Sequence, residues 1–315
     1  MIPLEEIRQA RERIAGIALR TPLVELAVDA DARIYLKLET LQPVNSFKIR
    51  GAGNAILQAT DEELASGVVT ASAGNMAQGV AYAARLRGVQ ATIVVPEGAP
   101  ETKVAAIERF GGKVVSLPYD EWWQILVEGR YEGSDGLFVH PVDNLRVMAG
   151  NGTIGLEILE DLPSVDAVIV PYGGGGLITG IASAVKASRP DVRFYAVEPE
   201  TGAPVSATLA SGTPAEVDYV RSFVDGAGSR SLIPGVWEHA ATLIDGAFAV
   251  PLDDAASAIR TIAERMRVIA EGAGALATAA AIAGRAGSGK VVCIVSGGNI
   301  DLSRLTKILA GETPA

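Results

Sequence analysis

The run Asp166-Ala167-Val168-Ile169-Val170-Pro171-Tyr172-Gly173-Gly174-Gly175-Gly176-Leu177 decides how this chain is read. Ala167 to Val170 are continuously apolar, as a strand covered on both faces requires. Four glycines follow, and then Ile178 to Ser188, where apolar residues recur at helical spacing. Successive glycine amides ahead of a helix amino terminus form a cradle for a phosphate dianion. The N–H groups donate, the helix dipole assists, and no side chain blocks the approach. The glycine spacing is wrong for a dinucleotide loop, and no Gly-Lys-Ser/Thr follows for a nucleoside triphosphate. A small phosphate monoester is the expected guest; a flexible turn is the alternative. Ala167 to Val185 carries no charge and is long enough to imitate a membrane-spanning helix. Pro171 and the glycines break it, so strand, loop and buried helix is the better description.

Outward from this unit, short β-branched runs alternate with helical patterns. Further strands are expected at Ile34–Glu39, Val68–Thr70, Ala91–Val95, Lys113–Leu117, Leu137–Val139, Arg193–Val197, Phe248–Val250 and Val291–Ser296. Helices are expected at Gly51–Ala59, Met76–Arg87, Glu101–Phe110 and Leu145–Glu160, with one Ala-rich helix from Ala255 to Gly284. Asn75 and Asp120 fit helix caps, and Gly88, Gly111 and Gly112 follow helix ends. Such alternation predicts an α/β fold of two lobes, each a mostly parallel twisted sheet with helices on both faces. Residues 1–50 and 146–315 form the expected larger lobe, and residues 51–145 the smaller.

The bulk numbers narrow the function. At 315 residues and 49% hydrophobic, the chain has material for a sizeable core. A net charge of -10 argues against nucleic acid, because phosphate-backbone binding needs clustered Lys and Arg. The single cysteine, Cys293, excludes an intrachain disulfide and a multi-cysteine metal site, and its apolar surroundings predict an inert buried thiol. The charged amphipathic start (Glu5, Glu6, Arg8, Arg11) lacks the apolar core of a signal peptide, which points to the cytoplasm. No membrane partner is expected.

Three more segments carry chemistry. Ser46-Phe47-Lys48-Ile49-Arg50-Gly51-Ala52 places a lysine where a strand and turn give way to a helix of small residues. It is either a surface cation or a partly buried amine set for covalent chemistry with a carbonyl. Ser72-Ala73-Gly74-Asn75-Met76 is a second strand-to-helix turn, whose amides suit a carboxylate. Asn75 there either meets a ring oxygen or caps the helix. Val291 to Val295 is a buried strand ending in Ser296-Gly297-Gly298-Asn299. Its hydroxyl lies at a strand carboxyl end, where ligands bind in open α/β sheets. Ser296 either meets a neutral ring nitrogen or begins the next helix. An amine, a phosphate cradle, a carboxylate cradle and a hydroxyl, all at strand carboxyl ends, describe pyridoxal 5'-phosphate on a lysine meeting an amino acid.

On these motifs the chain resembles the pyridoxal-phosphate enzymes of the tryptophan-synthase β-subunit group (fold type II), and most of all the threonine/serine dehydratases and serine racemases. Lys37-Leu38-Glu39, the 46–52 and 72–75 segments, Gly152 to Glu157, the four glycines and Ser296 to Asn299 all match in order and separation. The resemblance implies that Lys48 forms the Schiff base and moves the α-proton. Phe47 then lies beside the ring, and Asn75 bonds its phenolic oxygen. Gly173, Gly174, Gly175, Gly176 and Leu177 hold the phosphate, and Ser296 contacts the ring nitrogen. Ser72, Gly74, Asn75 and Met76 bind the substrate carboxylate. The implied reaction is elimination of water from a β-hydroxy-α-amino acid, giving a 2-oxo acid and ammonia. A β-replacement enzyme or racemase on the same fold is the alternative, and a non-catalytic pyridoxal-phosphate-binding protein a third. A homodimer is implied as well.

The sequence departs from the family at several places. Met76 stands where histidine is usual, which predicts a more apolar pocket. Asn45 replaces a glycine, and the 142–146 stretch lacks the usual acidic loop. The second serine of racemases is Ala73 here, which disfavours racemisation. The family's cation site matches at Glu198 and Gly202, but Pro204 replaces its acid, leaving the metal open.

Overall fold

Buried apolar runs become parallel strands here because both of their faces are covered. The computed structural model describes residues 1–314. In chain order the strands are β1 (Leu23–Leu26), β2 (Ala32–Leu38), β3 (Val68–Ala71), β4 (Ala91–Pro96), β5 (Gly112–Leu117), β6 (Leu137–Phe138), β7 (Ala167–Pro171), β8 (Arg193–Pro199), β9 (Gly246–Val250) and β10 (Gly289–Val295). The first six helices are α1 (Leu4–Ile14), α2 (Lys48–Gln58), α3 (Asn75–Arg87), α4 (Glu101–Arg109), α5 (Tyr119–Glu128) and α6 (Leu145–Asp161). They are followed by α7 (Gly176–Lys186), α8 (Pro204–Ser211), α9 (Pro234–Ala240), α10 (Leu252–Met266), α11 (Gly272–Ile282) and α12 (Leu302–Leu309).

The strands form two sheets. One has the order β1-β2-β10-β7-β8-β9, the other β5-β4-β3-β6. Every pairing is parallel except the edge pair of β1 with β2. Alternate residues of the central strands enter two different cores, as a covered sheet demands. Val291, Cys293 and Val295 join Ile34 and Leu36 under α10 and α11. Val292 and Ile294 join Val168 and Val170 on the opposite face, with Ile178 and Ile181 of α7. The smaller sheet buries Val68, Ile93 and Val95 with Ile49, Met76 and Val80 of α2 and α3. Helix α6 packs on both α2 and α7, so it joins the two layers of structure.

Four local expectations need correction. The Ala-rich stretch 255–284 is two helices, because Arg267 turns left-handed (φ 58°) and ends α10. Neither Asn75 nor Asp120 caps a helix: Gly74 and Pro118 hold those positions, without a side-chain bond. Helix α2 begins at Lys48 itself rather than at Gly51. Strand β1 carries no strand signal in the sequence and forms by adding to the edge of β2.

Candidate active site

The seat of Lys48 is built by the carboxyl ends of two neighbouring strands. After β2 the chain makes a short turn, Glu39–Leu41, and then a left-handed residue, Asn45 (φ 54°). That φ explains the family's glycine, and asparagine is among the few other residues that tolerate it. Ser46 bridges to Gly297, and the Phe47 amide donates to the Ser296 carbonyl at 3.0 Å, which pins the turn to the end of β10. Lys48 then opens α2. Its Nζ donates to the Pro141 carbonyl at 3.1 Å and lies 5.1 Å from the centre of the Phe47 ring. Burial pulls the amine down to about 8, against a small opposing pull from Glu271. A lysine lowered in this way has a useful neutral fraction near pH 7, as a nucleophilic amine requires.

Beneath it lies a closed ionic cluster. Arg50 reaches Glu39 through Nε and Nη2, both at 2.8 Å, and Glu157 through Nη1 and Nη2 at 2.7 and 2.9 Å. Lys37 Nζ donates to Glu157 at 2.6 Å and to the Thr21 carbonyl at 2.6 Å. Two cations thus meet two carboxylates, all buried. The Lys-Leu-Glu, Lys-Ile-Arg and Gly-Thr-Ile-Gly-Leu-Glu motifs are therefore one network, and it holds the start of α2 in place.

The glycine loop has the form of an anion cradle. Gly175 is left-handed (φ 89°), and a Cβ on Gly174 would collide with Val142. Among the described residues, no backbone acceptor receives the amides of Gly173 to Leu177. Their own carbonyls are tied down, Gly175 by Thr179 Oγ1 at 2.9 Å and Gly176 by Asn151 at 3.3 Å. Free donors on a fixed loop at a helix amino terminus fit a phosphate. With a half-buried amine at Lys48 and a buried hydroxyl at Ser296, the residues fit pyridoxal phosphate.

The 72–76 turn is held by a relay of amides. Asn299 Nδ2 donates to Asn75 Oδ1 at 2.7 Å and to the Val44 carbonyl at 2.9 Å. Asn75 Nδ2 donates to Glu271 Oε1 at 2.8 Å. The amide of Asn75 is thereby fixed in one orientation, with its second N–H still available. Burial, with Asp225 nearby, pushes Glu271 up to about 8. Ser72 Oγ accepts from the Gly74 amide at 3.2 Å. Met76 points into the apolar core beside Ile49 and Val80, so it does not make the pocket more apolar, and only its backbone faces the turn. Glu271 and Asn299 escaped the sequence reading of the site. Asn299 was signalled by the Ser-Gly-Gly-Asn motif, whereas Glu271 had no local signal.

The cation positions do not assemble. Glu198 accepts from the Val205 and Ser206 amides at 2.9 and 3.0 Å and from Ser206 Oγ at 3.0 Å, so both its oxygens serve the first turn of α8. With Pro204 opening that turn, the residues do not fit a cation, and no step is assigned to one. Cys293 is fully buried, and burial alone raises its thiol pKa. A hollow of about 350 Å³ beside Glu63 and Arg146 is lined by none of the residues assigned to the site.

A parallel α/β fold with a half-buried lysine joined through one turn to a free glycine-amide loop defines a class of enzyme built around a phosphorylated carbonyl cofactor. The family model described as pyridoxal-phosphate dependent enzyme matches residues 14–297, and the chain belongs to that family. It is 40% identical to an L-threonine ammonia-lyase of Thermotoga maritima, over 98% of this chain and 78% of that protein. It is 38% identical to a catabolic L-threonine dehydratase of Staphylococcus aureus, over 98% and 92% of the two chains. Its structure resembles that of maize serine racemase, with a TM-score of 0.89, 34% identity, and 98% and 96% of the two chains covered.

Proposed function

We propose that this enzyme is a threonine/serine-type ammonia-lyase in which Lys48 carries pyridoxal phosphate and moves the substrate's α-proton. What carries this reading is the half-buried Lys48 amine, lowered to about 8 and linked through the Pro141–Val142 turn to the unpaired amides of the glycine loop. The threonine ammonia-lyase and dehydratase relatives support the substrate class. When bound, the cofactor supplies an electron sink for negative charge at the α-carbon.

The chain's own residues do the rest. Amides from Gly173 to Leu177 hold the phosphate, and Phe47 lines one side of the ring. The free N–H of Asn75, oriented by Asn299 and Glu271, would be the donor to the cofactor's phenolic oxygen. Ser296 would offer the ring nitrogen a hydroxyl, a weaker partner for a proton there than a carboxylate would be. The backbone of Ser72, Gly74, Asn75 and Met76 receives the substrate carboxylate between the lobe of residues 51–145 and that of residues 1–50 and 146–315. Lys48 Nζ takes the α-proton. Water leaves on elimination and is regained on hydrolysis, so the net products are a 2-oxo acid and ammonia. Ala73 presents no hydroxyl to the opposite face, which favours elimination over racemisation. By family resemblance the enzyme is a cytoplasmic homodimer; a monomeric mass by light scattering would refute the second point.

The test is a panel of β-hydroxy-α-amino acids incubated with the wild-type enzyme and Lys48→Ala. Ammonia and 2-oxo acid should form from threonine or serine with the wild type alone. Silence across the panel would sink the reading.

A further inference from the structure

His140 is a half-buried titratable group that the mechanism leaves unused, and its hydrogen bonds define its state. The amides of Val142 and Asp143 both donate to Nδ1, at 3.2 and 2.7 Å. Nε2 lies 3.2 Å from the Leu126 carbonyl of α5. A carbonyl oxygen can only accept, so Nε2 carries the hydrogen and Nδ1 is bare. The ring thus folds residues 140–143 around itself and ties that turn to α5.

The turn touches both halves of the site. Its Pro141 carbonyl is the acceptor for Lys48 Nζ. Its Val142 side chain packs against Gly174, and the Val142 carbonyl lies against Gly176. We propose that His140, as the neutral Nε2–H tautomer, is a positioning residue that sets the Pro141 carbonyl against Lys48 and Val142 against the glycine loop. This rests on Lys48 being the reacting amine.

Protonation of Nδ1 would turn an acceptor for two N–H groups into a third donor, and the turn would open. The charged groups facing the ring are Asp143, on its own turn, and Lys48, at the start of α2. The neighbouring helix α5 presents the Leu126 carbonyl, and β6 presents the Phe138 ring at 6.2 Å. Burial lowers the imidazole pKa, Lys48 adds to the lowering, and Asp143 opposes it. With the folded value depressed, the arrangement is present above the ordinary histidine range. It is lost as pH falls through the folded value.

The experiment uses holoenzyme: wild type, His140→Ala and His140→Asn. Asparagine can place an amide oxygen where Nδ1 stands and cannot be protonated there. His140→Ala should lower kcat/KM by about 10²-fold, the effect of an ångström-scale misplacement. His140→Asn should recover most of that loss, and the acid limb of its kcat/KM profile should move down by roughly one pH unit. Nitrogen-15 shifts of the wild-type ring should report Nε2–H at neutral pH. An active wild type with a fully active His140→Ala, an unmoved acid limb in His140→Asn, or an Nδ1–H signal would each overturn the proposal. Failure of the Lys48 reading would look different, because the wild type would then be inactive throughout.

Discussion

Half-buried Lys48 and buried Glu271 are two ionisable groups, both moved by desolvation, and in opposite senses. Their signs make separate predictions. For Lys48 in the cofactor-free protein, the neutral amine grows as pH rises through about 8. The rate of pyridoxal-phosphate capture, followed by visible absorbance, should climb between pH 7 and 9 and then level off. A rate that kept climbing beyond pH 9 without levelling would place the amine in solvent instead. Glu271 binds its proton more tightly folded than unfolded. Its contribution to stability is therefore fully present below the ordinary carboxylate range and lost as pH rises toward about 8. Glu271→Gln keeps an acceptor for Asn75 and removes the titration. Its melting temperature should fall less than the wild type's between pH 5 and 8.5; parallel curves would refute the assignment. Neither role was legible locally. Lys48 stood out by its place between strand and helix, but Asn75 and Glu271 meet across 196 residues, a distance no local pattern spans.

At the scale of elements, the legible parts were those with one dominant cause. Parallel strands buried on both faces read as unbroken apolar runs, so β3, β4, β7, β8 and β10 were found within a residue or two. Strand β1 was missed because four residues with a mixed burial pattern carry too little periodicity. The break between α10 and α11 was missed because neither glycine nor proline ends α10; Arg267 takes the left-handed turn instead. The motifs at 37–39, 46–52 and 152–157 were recognised, yet their shared purpose appears only when Arg50 joins Glu39 and Glu157. Removing one member leaves buried charge unpaired. Arg50→Met should therefore cost about 3–5 kcal/mol by denaturant unfolding. A loss below about 1 kcal/mol, the level of an exposed pair, would show that the cluster is not holding α2.

Across the whole molecule, the two sheets are also joined by polar contacts near the site. Lys103 of α4 pairs with Asp225 at 2.6 Å, and Thr102 donates to Asp301 at 3.0 Å. A partly buried pair of this kind contributes about 1 kcal/mol or less, so Lys103→Ala should raise KM roughly two- to fivefold and leave kcat near wild type. A selective fall in kcat would place the pair in the chemistry instead. The order of the larger sheet has one more consequence. Strand β10, about 250 residues after β2 in sequence, lies between β2 and β7 and leads into Ser296. During translation, the gap between those two strands stays open until residues 289–295 leave the ribosome. The amine is synthesised about 240 residues before the strand that completes its seat. A nascent chain stalled before β10 should thus fail to capture the cofactor, and the site is completed in a single step once that strand arrives.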